Sequence, residues 1–323
     1  MPIKSVFLTL ATAVLSVHAT AAQEARVQKV GVISPGGSYR AVVDGLRDGL
    51  NQAGFIEGKR YVLDIREMQG ALKSAEEAAT SLEQQNVPLI YTVATSVTLA
   101  AKRATTKTPI VFFAGTDPVA VKLVESIRHP GGRLTGVYNQ IGNVTGKRLE
   151  LLKEIVPNLH RVITFYNPAN PSAIEAVTQT KDAARVLGVE LIERPVASAE
   201  QLRIELQAFR AGEADAYFAV NDATTDSQIE SIIEMTKAQK LPSMFYLLDV
   251  VAGGGLASYS PDFREGGLLT APYVRKILEG SNPADLPIEQ SHKLMLEFNL
   301  KTAKEIGLDI PESILIRADK VIE

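Results

Sequence analysis

Hydroxyl side chains stand where apolar, strand-like runs of this sequence end and helical patterns begin. Ser38, Thr95 and Ser96 occupy such points. A helix start there would offer a carboxylate both hydroxyl groups and free backbone N–H groups. Serine and threonine are also common helix caps, so a purely structural role stays open for all three. The chemistry that these residues indicate is non-covalent binding of a small anion.

Two acidic residues follow apolar runs in the same way. Asp117 and Asp222 each come shortly after a run that reads as a buried strand. If both carboxylates faced one cleft, they could bind an ammonium group. Asp117 precedes Pro118, which suits the first position of a helix, so capping is an equal alternative for Asp117.

Four tyrosines fall at strand ends or in loops of the same expected rim, and they favour a flat or apolar ligand. Ordinary packing is the alternative for each of them. The complete set of candidate ligand contacts is Ser34, Ser38, Tyr39, Thr95, Ser96, Asp117, Tyr166, Asn167, Asn221, Asp222, Tyr246 and Tyr259.

Sequence signatures of catalysis and of cofactor binding are missing. The loop after the first apolar run reads Ser-Pro-Gly-Gly, not GxGxxG, and GxxxxGK[ST], HExxH and GxSxG do not occur. The chain has no cysteine, and its four histidines fall in separate segments. We therefore expect a binding protein with no catalytic residue, no cofactor and no metal site.

The length and the net charge of the chain further restrict the class of protein to which it can belong. With 323 residues the chain is long enough for two domains, since single cores rarely grow past about 250–300 residues. The net charge is −3, and there is no basic run of the kind that follows phosphates. These features argue against a nucleic-acid partner.

Apolar runs alternate with amphipathic helical patterns along the chain, as in βαβ units with a parallel sheet. Strands are predicted at 29–34, 61–66, 89–93, 110–114, 161–166, 190–193, 216–220, 243–246 and 256–259, with a final strand and helix within 293–306. Helices are predicted at 41–52, 73–86, 96–105, 174–187, 199–211, 225–239 and 266–279, and a further helix after Thr116-Asp117-Pro118. The plan occurs twice, which predicts two similar lobes with a ligand cleft between them.

Several longer motifs carry a resemblance to a known family. They are GVISP (31–35), TDPV (116–119), HPGGRLTGV (129–137), KRLELLKEIVP (147–157), NPANP (167–171) and LPIEQ (286–290). Through these motifs the sequence resembles the ABC-transporter substrate-binding proteins of the TrpX type, which have the type I periplasmic-binding fold. The resemblance implies two Rossmann-like lobes joined by a three-strand hinge. Residues 27–135 with 261–284 would form one lobe, and 136–260 with 285–323 the other.

The resemblance also implies a function. The chain would be the extracytoplasmic component of an ABC importer, and it would close around a small carboxylate-bearing solute such as an amino acid, aromatic amino acids included. Its partner would be a membrane permease, and we expect a monomer. A sensory receptor without transport and an exported two-domain α/β enzyme stay open as alternatives.

The first 22 residues have the layout of a signal peptide. Lys4 supplies a positive charge, residues 6–17 are mostly apolar, and Ala19-Thr20-Ala21 is a small-residue cleavage pattern. We expect cleavage near Ala21-Ala22 and a periplasmic location. Because no cysteine stands beside the cleavage site, we expect no lipid anchor.

Overall fold

The strands of this protein form two separate sheets, each flanked by helices. The computed structural model describes residues 27–68, 72–139 and 144–323, so the expected signal peptide lies outside the described residues. In chain order the strands are β1 (Gln28–Ser34), β2 (Tyr61–Glu67), β3 (Leu89–Val93), β4 (Ile110–Ala114), β5 (Leu134–Tyr138), β6 (Arg161–Tyr166), β7 (Glu190–Pro195), β8 (Ala216–Phe218), β9 (Ser243–Phe245), β10 (Ala257–Pro261), β11 (Glu289–Gln290), β12 (Leu294–Asn299) and β13 (Lys320–Ile322).

The helices lie in the connections between these strands. They are α1 (Arg40–Gln52), α2 (Leu72–Gln84), α3 (Thr95–Ala104), α4 (Thr145–Ile155), α5 (Pro171–Leu187), α6 (Ala199–Ala208), α7 (Ala223–Asp226), α8 (Ile229–Ala238), α9 (Asp249–Ala252), α10 (Phe263–Leu278), α11 (Leu300–Ile306) and α12 (Glu312–Leu315). Among the helices of the described residues, none combines the length and the apolar character that crossing a membrane requires.

The first sheet has six strands in the order β11-β5-β4-β3-β1-β2, all parallel. The second has seven in the order β13-β12-β10-β9-β8-β6-β7, in which only the β10–β12 pair is antiparallel among the described pairings. Every residue of β3, β4 and β5 is buried, as expected for strands covered by helices on both faces. The expected fold class, two α/β lobes built on parallel sheets, is confirmed.

The chain passes between the two sheets three times. It leaves the first sheet after β5, returns from β10 into α10, and leaves again between β11 and β12. The strands β5 and β11 pair with each other at the edge of the first sheet, with Val137 opposite Glu289 and Tyr138 opposite Gln290. Two of the three connections therefore start from neighbouring strands.

Glycines let α10, which follows the second sheet in sequence, pack closely on α1 of the first lobe. A Cβ atom on Gly267 would lie 2.0 Å from the carbonyl oxygen of Val42, and one on Gly45 would lie 2.0 Å from the carbonyl oxygen of Arg264. The two helix backbones are therefore in direct contact. This contact joins α10 to the lobe that begins the chain.

Two details of the predicted elements are wrong. The segment after Pro118 forms a series of turns and no helix, because Lys122 adopts a left-handed backbone (φ 57°) that ends the helical path after one turn. The N–H groups of Leu123 and Val124 both donate to the Pro118 carbonyl, which closes the turn. The helix expected at 225–239 is divided into α7 and α8.

We expect Gly267→Ala to lower the free energy of unfolding by about 2–3 kcal/mol, because the added methyl group must push two backbones apart. Gly146→Ala is the matched control, since Gly146 also lies in a helix and its Cβ would meet nothing closer than 3.8 Å. The control is expected to gain up to about 1 kcal/mol from helix propensity. Urea unfolding of both variants measures the difference, and equal stabilities would contradict close α1–α10 packing.

Candidate functional site

The carboxyl edges of the two sheets face each other. Tyr39 follows β1 of the first sheet, and its ring stacks on Phe263 at a centroid distance of 5.1 Å. Burial raises the pKa of the Tyr39 hydroxyl, and the charge of Asp226, which follows β8 of the second sheet, raises it further. Side chains from both edges therefore lie near each other, at the place where open parallel sheets bind their ligands.

Arg148 lies at this edge of the second sheet. It occupies the first turn of α4 and is only 1% exposed. Its guanidinium carbon lies 4.7 Å from the ring centroid of Phe218 and 5.6 Å from that of Tyr246, which end or follow β8 and β9. The helix places it there because Arg148 shares a helical face with Leu152 and Ile155, which pack in the core.

Among the described residues, none supplies a counter-charge to the guanidinium of Arg148 within hydrogen-bonding distance. Its Nε and Nη1 atoms are buried and lack a hydrogen-bond partner in the part of the chain that the structure describes. Burial lowers the pKa of Arg148 to about 10, against the opposing influence of Tyr246 and Tyr217. The side chain therefore keeps its positive charge at neutral pH, and an anion is the partner that it lacks.

A hydrogen bond joins Tyr246 to Asp226 beside this cation. The Tyr246 hydroxyl donates to Oδ2 of Asp226. Burial raises the pKa of Asp226 to about 8, and the charges of Asp222 and Asp249 add to the rise, whereas the hydrogen bond from Tyr246 opposes it. Asp226 is therefore largely protonated at neutral pH and does not act as the counter-charge of Arg148.

Asn139 is a buried polar group at the carboxyl edge of the first sheet. It directly follows β5, is 1% exposed, and neither atom of its side-chain amide has a hydrogen-bond partner among the described residues. Its backbone is fixed, because its N–H donates to the Ala114 carbonyl at 2.9 Å. A buried amide held in place without partners offers one acceptor and two donor hydrogens.

Both carboxylate oxygens of Asp222 accept hydrogen bonds from residues of the same lobe. Its Oδ2 accepts from the Asn167 N–H at 2.6 Å, and its Oδ1 accepts from Asn170 Nδ2 at 2.9 Å and from the Thr224 N–H at 3.2 Å. Asn167 also donates from Nδ2 to the Thr224 hydroxyl. These bonds tie the loop after β6 to the loop after β8, beside the partly exposed Asn221.

The polar residues of the first lobe are also largely bonded to one another. Asp117 Oδ1 accepts from the Val119 and Ala120 N–H groups, so it caps the turn that follows. The Thr95 hydroxyl pairs with the Thr116 hydroxyl at 3.0 Å and accepts from the Gly115 N–H. The remaining candidates are Ser34, whose hydroxyl accepts from the Gly36 N–H, and the partly exposed Ser38 and Ser96.

The four candidate tyrosines divide into two pairs. Tyr246 donates a hydrogen bond to Asp226, and Tyr39 lies near enough for the charge of Asp226 to influence its pKa. The Tyr166 hydroxyl instead donates to Glu193 on β7 at 3.0 Å. Tyr259 lines an outer groove of about 250 Å³ with Lys147, Leu296 and Arg317.

Sequence reasoning missed three polar residues at the carboxyl edges of the two sheets. Arg148, Asn139 and Asp226 were not among the candidates. A signal existed for Arg148, since it occupies an apolar position of the helical pattern in KRLELLKEI. No comparable signal marks the other two. Within the described ranges, no group of three or more His, Cys, Asp or Glu residues is placed to hold a metal ion.

Comparisons with known proteins agree on one family. The family model described as ABC transporter substrate binding protein matches residues 29–322. A tyrosine-binding protein of Clostridioides difficile (strain R20291) is 24% identical over 259 residues, which are 80% of this chain and 74% of that protein.

Solved structures share the fold over nearly the whole chain. A conserved domain protein from Vibrio cholerae O1 biovar eltor is 31% identical, with a TM-score of 0.82, over 92% of this chain and 100% of that one. An ABC domain from Streptococcus pneumoniae in complex with L-Trp is 25% identical, with a TM-score of 0.79 and the same coverage.

The raised pKa of Asp226 predicts a fall in stability with rising pH. An unfolded aspartate ionises near pH 3.9, whereas folded Asp226 keeps its proton to about pH 8. Between these values the folded state binds the extra proton, so the free energy of unfolding drops by up to about 1.4 kcal/mol per pH unit. We expect Asp226→Asn to flatten this dependence in urea unfolding at pH 5 and pH 8. The exposed Asp285→Asn should leave it unchanged, and an unaltered slope in Asp226→Asn would contradict the assignment.

Proposed function

The chain belongs to the family of ABC transporter substrate-binding proteins, and we propose that it is the extracytoplasmic receptor of an importer for a small carboxylate-bearing solute. Proteins of this family bind solutes and do not transform them, so the chain is a binding protein and not an enzyme. The proposed ligand site is the region between the facing sheet edges, where Tyr39, Arg148 and Tyr246 lie.

The buried guanidinium of Arg148 is the observation that carries this proposal. An enclosed charge without a counter-charge costs several kcal/mol, and the stacking on Phe218 and Tyr246 offsets about 2 kcal/mol of it. A ligand carboxylate would supply the missing charge and accept hydrogen bonds from Nε and Nη1.

The surroundings of Arg148 favour a ligand with an aromatic or other flat apolar part. Phe218 and Tyr246 present ring faces beside the cation, and Tyr39 and Phe263 form a stacked pair on the other lobe. The relatives also favour a ligand with an aromatic part, since one is a tyrosine-binding protein and another was solved with L-Trp. Aromatic amino acids are therefore the first ligands to test.

We further propose that the ligand acts by closing the lobes. The moving units would be residues 27–135 with 261–284, and 136–260 with 285–323, with the paired strands β5 and β11 at the hinge. A ligand that contacts both edges stabilises the closed form, because only that form makes both sets of contacts. A membrane permease would then recognise the closed protein in the periplasm, to which the expected signal peptide would direct it.

Arg148→Met tests the carboxylate contact, because methionine keeps much of the length and removes the charge. We expect at least a 30-fold loss of affinity, since removing one partner of a buried charge pair costs about 2–5 kcal/mol. Folding stability should stay the same or rise, because the unpaired buried charge is gone. Lys147→Met, on the same turn but paired with Glu150, is the matched control and should bind normally.

Indole-containing ligands offer a direct measurement. The chain has no tryptophan, so indole emission during a titration comes from the ligand alone. A panel of L-tryptophan, L-tyrosine, L-phenylalanine and their deaminated and 2-hydroxy analogues can be screened by fluorescence and thermal shift. If no carboxylate in the panel binds the wild-type protein, the proposed function is contradicted.

Closure has a separate test in small-angle X-ray scattering. We expect the radius of gyration to fall when a saturating ligand is added, because the lobes approach each other. The Arg148→Met variant, measured at the same ligand concentration, should show no such change. Identical scattering curves for the wild-type protein with and without a ligand that binds would contradict hinge closure.

A further inference from the structure

Two aromatic rings determine how the guanidinium of Arg148 is oriented. Its Cζ atom lies 4.7 Å from the ring centroid of Phe218 and 5.6 Å from that of Tyr246. Its Nε and Nη1 atoms are buried and make no hydrogen bond to the residues that the structure describes. Because no hydrogen bond from these two atoms fixes the group, its direction depends on where the two rings lie.

The two rings are held in place in different ways. Phe218 ends β8 and is fully buried in the core of the second lobe. Tyr246 directly follows β9, so its backbone lies just outside the strand. Packing buries the Tyr246 ring to 2% exposure, and its hydroxyl donates to Oδ2 of Asp226. This hydrogen bond fixes the outer end of the ring that lies beside Arg148.

The second lobe holds Asp226 in turn. Asp226 is the last residue of α7, and its N–H donates to the Asp222 carbonyl at 2.9 Å. The Thr225 hydroxyl donates to the same carbonyl at 2.9 Å. The Asp222 carboxylate accepts from the Asn167 N–H at 2.6 Å. Hydrogen bonds therefore connect the loop after β6 to Asp222, to Asp226 and finally to Tyr246.

We propose that Asp226 is a positioning residue of the ligand site, which orients the Tyr246 ring and through it the Arg148 guanidinium, and does not itself contact the ligand. This inference rests on the proposed function, because it concerns the same site. The role needs an acceptor oxygen that faces the Tyr246 hydroxyl, and it needs no negative charge. Direct binding of a ligand ammonium group by Asp226 would instead need the charge.

Three substitutions separate these two roles. Asp226→Asn removes the charge and keeps an acceptor oxygen, whereas Asp226→Leu removes both. Tyr246→Phe keeps the ring and removes the donor. The matched control is Tyr91→Phe, because Tyr91 is also a buried tyrosine whose hydroxyl is hydrogen-bonded, to Thr270 at 2.9 Å in the first lobe.

The Nε–H signal of Arg148 in a ¹H–¹⁵N NMR spectrum tests the orientation of the guanidinium without any ligand. The signal is assigned by its absence from Arg148→Met, and the ring currents of the adjacent rings make its position sensitive to their geometry. We expect Asp226→Asn and Tyr91→Phe to keep the wild-type position, and Asp226→Leu and Tyr246→Phe to shift it. An unmoved signal in both of the latter variants would overturn the inference.

Titration with L-tryptophan, followed by indole emission, measures the effect on affinity. We expect Asp226→Leu and Tyr246→Phe each to weaken binding about three- to tenfold, the range for one neutral hydrogen bond. The double variant should bind no more weakly than either single variant, since both remove the same bond. Asp226→Asn and Tyr91→Phe should stay within about twofold of the wild-type protein.

Two results of this titration would contradict the positioning role. A loss of at least about tenfold in Asp226→Asn would mean that the carboxylate charge itself binds the ligand. Additive losses in the double variant would mean that Asp226 and Tyr246 act independently. If Asp226→Leu does not melt cooperatively, Tyr246→Phe provides both measurements in its place.

The failure of this inference and the failure of the proposed function give different results. If no carboxylate binds the wild-type protein but the Arg148 signal shifts as expected, the proposed function is wrong and Asp226 still positions the guanidinium. If L-tryptophan binds the wild-type protein and not Arg148→Met, while Asp226→Leu and Tyr246→Phe change neither the signal nor the affinity, only this inference is wrong.

Discussion

The proposed ligand site of this protein depends on one constraint, the enclosure of the Arg148 guanidinium. An unpaired buried charge lowers stability, and residues of its size and shape without the charge would pack at the same position. The chain keeps the cation nonetheless and places it over the rings of Phe218 and Tyr246. Stability lost at one point of a fold is a common mark of a site that serves binding.

The three connections between the sheets explain why the site lies where it does. Asn139 ends β5 and Arg148 begins α4, so the two groups flank the first connection. The third connection starts from β11, which pairs with β5. In the proposed mechanism, a ligand bound at Arg148 would therefore lie beside the segments that bend when the lobes move. The tight α1–α10 contact keeps α10 with the first lobe.

Most of the architecture could be predicted from the sequence, because buried parallel strands and amphipathic helices leave strong patterns. The predicted bounds of β3, β4 and β6 agree with the structure residue for residue. The helix expected after Pro118 does not form, because Lys122 adopts a left-handed backbone that no local sequence pattern predicts. The site was harder, because hydroxyls and carboxylates in loops look alike whether they bind a ligand or each other. Asp222 shows this, since all its acceptors serve its own lobe.

The bonded loop residues have a function of their own in this arrangement. Asp222 joins the loops after β6 and β8, and the Thr95–Thr116 pair joins the loops after β3 and β4. Such bonds reduce the conformational freedom of both sheet edges before a ligand arrives. Groups that are already fixed lose little entropy on binding, so each contact to Arg148 or Asn139 contributes more of its energy to affinity. In the proposed site, polar residues that are satisfied by their neighbours therefore hold the sheet edges in place, and the buried groups that are left unsatisfied would contact the ligand.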